Sequence, residues 1–304
     1  MDSTEPKVDK SSLDSTNIQN LLAILNIQSK MDDYFKQINP SFMTDIMKNL
    51  SNPEIVKVSK GFIEAAKLDL KAAYLLRHNA PPIYSLAIYH LQQAVEKMAK
   101  ALFYLSIGTP PSFTHESQKT VIDIVNEIKN RMNANTLLVN GSLSKYQKFS
   151  GAYQDYSEKR KSELLNATSD EIVGYLDAFS DTFAPLENVD ISKLIEIIKT
   201  NEDLFRKIPG INPIVLNNLD KIISNPDAIK KKQFSASGTL RLIILAPILS
   251  YHEAYTRYPL IKKRQDEEGL NASDYNDNLG VVRAFDRLYL EVELLVNDFF
   301  MSKS

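Results

Sequence analysis

The sequence contains no cysteine among its 304 residues. This absence excludes disulfide bonds, cysteine-ligated zinc, iron–sulfur clusters and a thiol nucleophile. Glycine is scarce as well, since 9 residues are about 3% of the chain against a usual share of roughly 7%. A turn-rich β-barrel or a glycine-rich dinucleotide-binding fold would need more of it. Only four histidines occur, without the spacing of metal ligands, so we expect neither a metal site nor a cofactor.

Neither sign of charge dominates the chain. Lysine and arginine number 36 and aspartate and glutamate 38, so no overall field attracts nucleic acid, although a local patch can. The longest apolar run, Leu242–Leu249, is too short to span a bilayer and contains Pro247. The polar N-terminus is unlike a signal peptide. These features predict a cytoplasmic protein without a membrane partner.

Apolar residues recur at helical spacing along most of the chain, which predicts an all-α fold. Five segments carry an apolar stripe too wide to leave in water, and we predict that they pack into one bundle. These segments are residues 54–78, 84–107, 114–132, 239–258 and 279–300. Residues 1–16 lack apolar periodicity and are predicted to be a disordered tail, and residues 17–53 a helical extension.

The bundle is discontinuous in sequence, because residues 133–238 separate its two parts, 54–132 and 239–304. Asparagine, serine and glycine are frequent over 133–151, which indicates a boundary, and Ser235 to Gly238 is predicted to be a hinge. Shorter helices are expected between them, and one begins at Thr168, which forms a capping box with Glu171. We therefore predict a helical insertion over 133–238.

The second helix of the bundle resembles the signature of the HEPN family. The similarity rests on an aromatic residue or a histidine, then Gln-Gln-Ala, Glu-Lys and Lys-Ala. These elements stand here as Tyr89-His90, Gln92-Gln93-Ala94, Glu96-Lys97 and Lys100-Ala101. Further similarities are the alanines and Asp69 of the preceding helix, Gly108 with Thr114-His115, and Tyr251 with Arg257-Tyr258-Pro259. The resemblance implies a small up-and-down antiparallel bundle of four or five helices that commonly forms a homodimer.

The resemblance also bears on activity. Many members of the family are ribonucleases that use an Arg-x4-6-His motif, whereas others are binding modules or pair with small nucleotidyltransferases in toxin–antitoxin and defence systems. No arginine lies five to seven positions before any histidine of this chain. We therefore expect no catalytic residues of that kind, and a non-catalytic module that binds a nucleotide, RNA or a partner protein such as a nucleotidyltransferase. A ribonuclease that uses other residues is the alternative.

Two places are candidates for ligand binding. On an ideal helix His90 and Lys97 lie side by side with Gln93 near them, beside the buried stripe. This polar ridge is suited to a nucleotide, with Lys97 as the cation and Gln93 as the amide, and Arg257 and Tyr258 at the end of the fourth helix are candidates to complete it. The alternative interpretation is a solvated flank on which Glu96 and Lys100 form an ion pair. For Asp69, a partner role toward an arginine or tyrosine is expected rather than catalysis.

The second candidate lies in the insertion. Ile208 to Pro213 resembles the hairpin of a helix-hairpin-helix DNA-backbone binder, with Gly210 in place and Asn212 where a second glycine is usual. Seven basic and two acidic residues between Arg206 and Arg241 give a local charge of +5, which includes Lys230, Lys231 and Lys232. This patch is suited to a nucleic-acid backbone, and the alternative interpretation is a capping loop followed by a solvated connector.

Overall fold

The computed structural model describes residues 40–109, 121–132, 141–155, 157–187, 226–253 and 272–298, together with residues 196, 199, 256 and 270. Within these ranges every regular element is a helix, as the sequence predicted. The α-helices are α1 (Pro40–Asn49), α2 (Pro53–Arg77), α3 (Tyr84–Ile107), α4 (Val121–Arg131), α5 (Gln147–Gly151), α6 (Glu158–Leu165), α7 (Ser169–Glu187), α8 (Pro226–Leu249), α9 (Gly280–Arg283) and α10 (Phe285–Asp298). Short 3-10 helices cover Gly141–Tyr146, Ser250–His252 and Ala272–Asp274.

Helices α2 and α3 form a long antiparallel hairpin whose ends follow from local chemistry. The side chain of Asn52 accepts a hydrogen bond from the backbone N–H of Glu54 at 3.0 Å, and Pro53 supplies the fixed φ that suits a first helical turn. Helix α3 ends at Gly108, whose φ of 79° is a left-handed conformation that favours glycine. The two helices therefore have defined ends, which fixes the register of the hairpin.

Helix α3 lies at the centre of the fold. Its neighbours are α1, α2, α4, α8 and α10, and Leu91, Ala94, Met98 and Leu102 on it are almost completely buried. Because α8 and α10 pack on α3 from a distant part of the sequence, the described parts of these helices share one core. None of the described helices is long and apolar enough to cross a membrane.

Residues 141–187 contribute to the same core. Phe149, Tyr175 and Phe179 from this segment are fully buried and belong to the one apolar cluster that also contains α3 and α10. The predicted capping box is present, since Thr168 Oγ1 accepts from the N–H of Glu171 at 3.2 Å and Glu171 Oε2 accepts from that of Thr168 at 2.9 Å. The division of the chain into a bundle and an insertion stays a prediction.

One predicted break is wrong. Ser235 to Gly238 is not a hinge, because α8 runs through it without interruption. Residues 141–151, which lie within the predicted boundary, are helical turns that bury Leu143 and Phe149, and the boundary itself stays a prediction. In both places burial outweighs the low helix propensity of serine and glycine, which costs only about 1 kcal/mol per glycine.

Candidate functional site

The polar ridge is built on the exposed flank of α3, where it faces α2. His90 Nδ1 lies 2.8 Å from Asp69 Oδ1, and Lys97 Nζ donates to the other oxygen, Asp69 Oδ2. The side chains of His90 and Lys97 are 28% and 25% exposed, whereas that of Asp69 is 14% exposed. The carboxylate of one helix thus holds the two basic side chains of the other, two helical turns apart.

The contact with Asp69 fixes the orientation of the imidazole ring. A carboxylate only accepts hydrogen bonds, so the hydrogen must be on His90 Nδ1. In the neutral ring Nε2 is then an acceptor, and in the charged ring it is a second donor. The ring of Tyr89 meets that of His90 edge-on with centroids 5.2 Å apart. The imidazole ring of His90 is therefore held between the carboxylate of Asp69 and the ring of Tyr89.

Gln93 is tied to its own helix. Its amide nitrogen donates to Glu96 Oε2 at 2.9 Å and to Gln92 Oε1 at 2.7 Å. Glu96 in turn accepts from Lys100, so the ion pair expected for a solvated flank is present. Lys97 and Lys100 are both paired with carboxylates, and the ridge as a whole is close to neutral.

Asp69 is the residue of this site whose role the sequence did not predict. An arginine or tyrosine partner was expected, but the partners are His90 and Lys97. Two features of the sequence indicate this contact. Asp69 lies beside the buried face of α2, and the next helix carries two basic residues seven positions apart. Only the hairpin register brings these three side chains together.

Comparison with known proteins adds one finding. Residues 59–172 match the family model of the HEPN domain. This part of the chain is similar to the HEPN domain. No curated protein and no solved structure matches the chain.

The HEPN match includes the whole ridge and Asp69, and it runs on through residues 133–172. It therefore continues into the segment that the sequence analysis assigned to the insertion, and it ends before the segment with Tyr251. Arg241 and His252 are too far apart in sequence to form the Arg-x4-6-His motif, and each has a different partner. Arg241 binds Glu291, and His252 lies against Tyr275 with Nδ1 2.9 Å from the phenol oxygen.

The structure describes only some of the remaining candidate residues. Arg257, Tyr258, Gly210 and Asn212 lie outside the described residues. Lys230, Lys231 and Lys232 lie on the first half of α8, not in a connector before a hinge. Consecutive positions of a helix are about 100° apart, so three successive lysines do not share one face.

A second polar cluster joins the helices that follow the ridge. Glu291 of α10 accepts from Arg241 of α8 at 2.9 Å and also from Arg287. Arg287 donates to Ser180 of α7 at 2.9 Å, and Arg241 to Ser237 at 2.9 Å. Because Arg241 and Glu291 are about 95% buried, this cluster fixes α7, α8 and α10 to one another and is not accessible to a ligand.

Two further titratable groups are buried. Burial lowers the pKa of Lys129, whose ammonium lies 4.3 Å from the centre of the Tyr153 ring. Burial also lowers the pKa of His252 to about 3. In the part of the chain that the structure describes, no three histidine or carboxylate side chains are grouped as metal ligands.

Proposed function

We propose that this protein is a non-catalytic HEPN module that binds a nucleotide or RNA through the ridge of His90, Gln93 and Lys97. The observation that carries the proposal is the arrangement around Asp69, which holds His90 and Lys97 in fixed positions at the surface while leaving about a quarter of each side chain exposed. Preorganised polar groups lower the cost of ordering a site when a ligand binds.

The charge of the ridge indicates the kind of ligand. Lys97 is balanced by Asp69 and Lys100 by Glu96, so the attraction for a phosphate is weaker than at a cluster of free lysines. Recognition then depends on hydrogen bonds to His90 and on the position of Lys97. A mononucleotide or a single nucleotide of an RNA fits this chemistry better than the continuous backbone of a duplex.

The test is a titration of the purified protein with AMP and with a short single-stranded RNA, at two salt concentrations. Binding is expected to weaken at least tenfold in Lys97→Ala and in His90→Gln, and to depend only modestly on salt. Lys60→Ala, which removes an exposed lysine from α2, is the matched control and should bind as the unmodified protein does. If neither ligand binds at low salt, the ridge is not a nucleotide site and protein–protein association remains.

A second candidate function is RNA cleavage by His90. It is favoured by the contact between His90 Nδ1 and Asp69, because a carboxylate that orients an imidazole in this way is also found beside catalytic histidines. His90 Nε2 would take the proton of a ribose 2′-hydroxyl as that oxygen attacks the adjacent phosphorus. The departing 5′-oxygen would take a proton from water, and a 2′,3′-cyclic phosphate would remain. Our expectation is that single-stranded RNA stays intact. Cleavage that disappears in His90→Gln would establish this second function instead.

A third candidate function is binding of a nucleic-acid backbone by Gly210, Asn212 and Lys230 to Lys232. It is favoured by the local charge of +5 between Arg206 and Arg241. Each phosphate neutralised at such a patch releases counterions, so its affinity falls steeply with rising salt. A triple variant, Lys230/Lys231/Lys232→Ala, should then weaken RNA binding, with little effect on AMP. An unchanged RNA affinity in this variant would exclude the three lysines.

We also propose that the module acts as a homodimer and that a nucleotidyltransferase is its partner, as in toxin–antitoxin or defence systems. This part of the proposal is supported by the HEPN match. Co-expression with the product of the adjacent gene, followed by purification through a tag on this chain, tests the partner. Sedimentation of the purified protein tests the dimer.

A further inference from the structure

Helix α2 has a second apolar face that does not contact the core. Its core-facing side chains include Ile55, Ile63 and Leu70, whereas another row lies on a different side of the helix with spacings of three and four residues in strict alternation. We call this row the outer seam, and it consists of Val58, Gly61, Ala65, Leu68, Ala72 and Leu75. These are the a and d positions of consecutive heptads, the pattern by which two helices pack along their length.

Four of the six residues of the outer seam are exposed to solvent, and Ala65 and Ala72 are half-buried. Leu68 is 70% exposed, Leu75 58% and Val58 40%. A methyl group added to Gly61 would meet nothing within 4 Å. A single exposed leucine is ordinary, but an apolar row over 17 residues of helix, about 25 Å, is a continuous surface that matches another helix.

We propose that the outer seam packs against the outer seam of a second copy of this chain, with the two α2 helices antiparallel. The inference rests on the self-association proposed above and names the surface and the orientation through which it occurs.

Side-chain size favours the antiparallel orientation. With the two-fold axis between Ala65 and Leu68, Leu68 lies opposite Ala65 of the second copy and Leu75 lies opposite Val58. Gly61 then faces Ala72 of the second copy, so the helices can approach closely in the two layers next to the ends of the contact. Every layer pairs a larger with a smaller side chain, and no layer places two leucines opposite each other. A parallel pair would put leucine on leucine and glycine on glycine, which leaves gaps.

The flanking charges favour the same orientation. Glu64 and Lys71 lie on one flank of the seam, and Asp69 lies on the other. In an antiparallel pair like flanks meet, so Glu64 approaches Lys71 of the second copy, and this contact occurs twice. In a parallel pair unlike flanks meet, and Glu64 would approach Asp69. Glu64 is free to change partner, since its present contact with Lys67 is exposed to solvent.

The orientation also places the two ridges. Asp69 lies on the flank of the seam that faces α3, and its contacts with His90 and Lys97 define the ridge. A two-fold axis perpendicular to the helices keeps this flank on the same side in both copies. The dimer therefore presents both ridges on one side, where a ligand longer than one nucleotide can contact both.

The natural absence of cysteine allows a direct test of the orientation. Single-cysteine proteins Val58→Cys and Leu75→Cys, carrying tags of different size, are mixed and oxidised. The expected product is the mixed disulfide, because residue 58 of one copy lies opposite residue 75 of the other. Neither protein alone should cross-link, since the two copies of residue 58 are about 25 Å apart and a disulfide needs Cα atoms within about 7 Å. Cross-linking of Val58→Cys with itself would overturn the antiparallel orientation.

A charge placed in the seam tests the surface itself. Leu68→Asp should convert the dimer to a monomer in sedimentation equilibrium, with a loss of affinity of at least 100-fold and an unchanged circular dichroism spectrum. Leu290→Asp on α10, where the leucine is 46% exposed outside the seam, is the matched control and should remain a dimer.

The outcomes separate the inference from the proposals on which it rests. A dimer that persists in Leu68→Asp overturns the seam but leaves self-association standing. If the unmodified protein is a monomer, both the seam dimer and the proposed self-association are wrong. This holds equally if another partner, or residues 17–38 of the same chain, covers the seam. Binding of AMP to the ridge is measured independently, so its failure leaves the seam unaffected.

Discussion

Removal of the Glu291 carboxylate should destabilise the protein more than removal of any single surface charge. Glu291 lies in α10 with only 3% of its side chain exposed, and it accepts hydrogen bonds from Arg241 and Arg287. In Glu291→Ala the guanidinium of Arg241, itself 5% exposed, loses the carboxylate 2.9 Å away and keeps its contact with Ser237 at 2.9 Å. The variant thus removes a counter-charge from a buried cation.

The magnitude follows from the burial of the two groups. Breaking a buried ion pair by removing one partner typically costs about 3–5 kcal/mol, because the remaining charge stays desolvated. Arg287 contributes little to this cost, since its side chain is 22% exposed and can reach water. We therefore expect the free energy of unfolding to fall by about 3–5 kcal/mol, measured by urea denaturation followed by circular dichroism.

Two controls identify the mechanism. Asp177 is a partner of Arg287, and the side chain of Asp177 is 57% exposed. Asp177→Ala should therefore lower the free energy of unfolding by less than about 1 kcal/mol. The double variant Arg241→Met with Glu291→Leu removes both buried charges, and it should recover most or all of the loss because replacing a buried ion pair by apolar residues is often neutral or stabilising. If Glu291→Ala costs less than about 1 kcal/mol, or if the double variant is no more stable than the single one, the buried charge is not the cause.

Three further predictions concern other parts of the molecule. Gly280→Ala should lower the free energy of unfolding by about 2 kcal/mol in urea, because a Cβ there would lie 2.0 Å from the carbonyl oxygen of Ala167, a backbone atom that cannot move aside. Acid should destabilise the protein through His252: its pKa is about 3 when folded and near 6.5 when unfolded, so only the unfolded state takes up the proton between these values. The contribution of His252 to the free energy of unfolding is complete above pH 6.5 and about 2 kcal/mol smaller at pH 5. In a pH series of denaturation curves, His252→Gln should lack this loss of stability in acid. A double-mutant cycle of Asp69→Asn with Lys97→Met should give a coupling of about 1 kcal/mol, and a value near zero would show that Asp69 does not hold the ridge.

The core of the fold was predictable from sequence because its signals are local. The hairpin of α2 and α3 follows from two apolar stripes, the cap at Asn52 and the glycine at 108, and the capping box at Thr168 needs only four consecutive residues. The ion pair of Glu96 and Lys100 likewise lies within one helix. Such features depend on spacing along one element and not on which elements meet.

The features that the sequence did not predict depend on tertiary contacts. Asp69 meets His90 and Lys97 only because the hairpin register sets α2 beside α3. The segment from Ser235 to Gly238 is composed like a hinge, but Gly238 and Thr239 are buried and the helix continues into the fully buried stretch that follows. The apolar core therefore decides the conformation there, and local propensity does not.

The hairpin of α2 and α3 supplies the core, the ridge and the outer seam from three different faces. Helix α2 contributes the side chain of Asp69 to the ridge and the row from Val58 to Leu75 to the seam, and these two faces adjoin. A ligand that contacts both ridges of a dimer would bind the dimer more tightly than the monomer, and by linkage it would strengthen dimerisation by the same factor. Asp69 is the residue through which the two functions would be joined, because it anchors His90 and Lys97 to the helix that carries the seam.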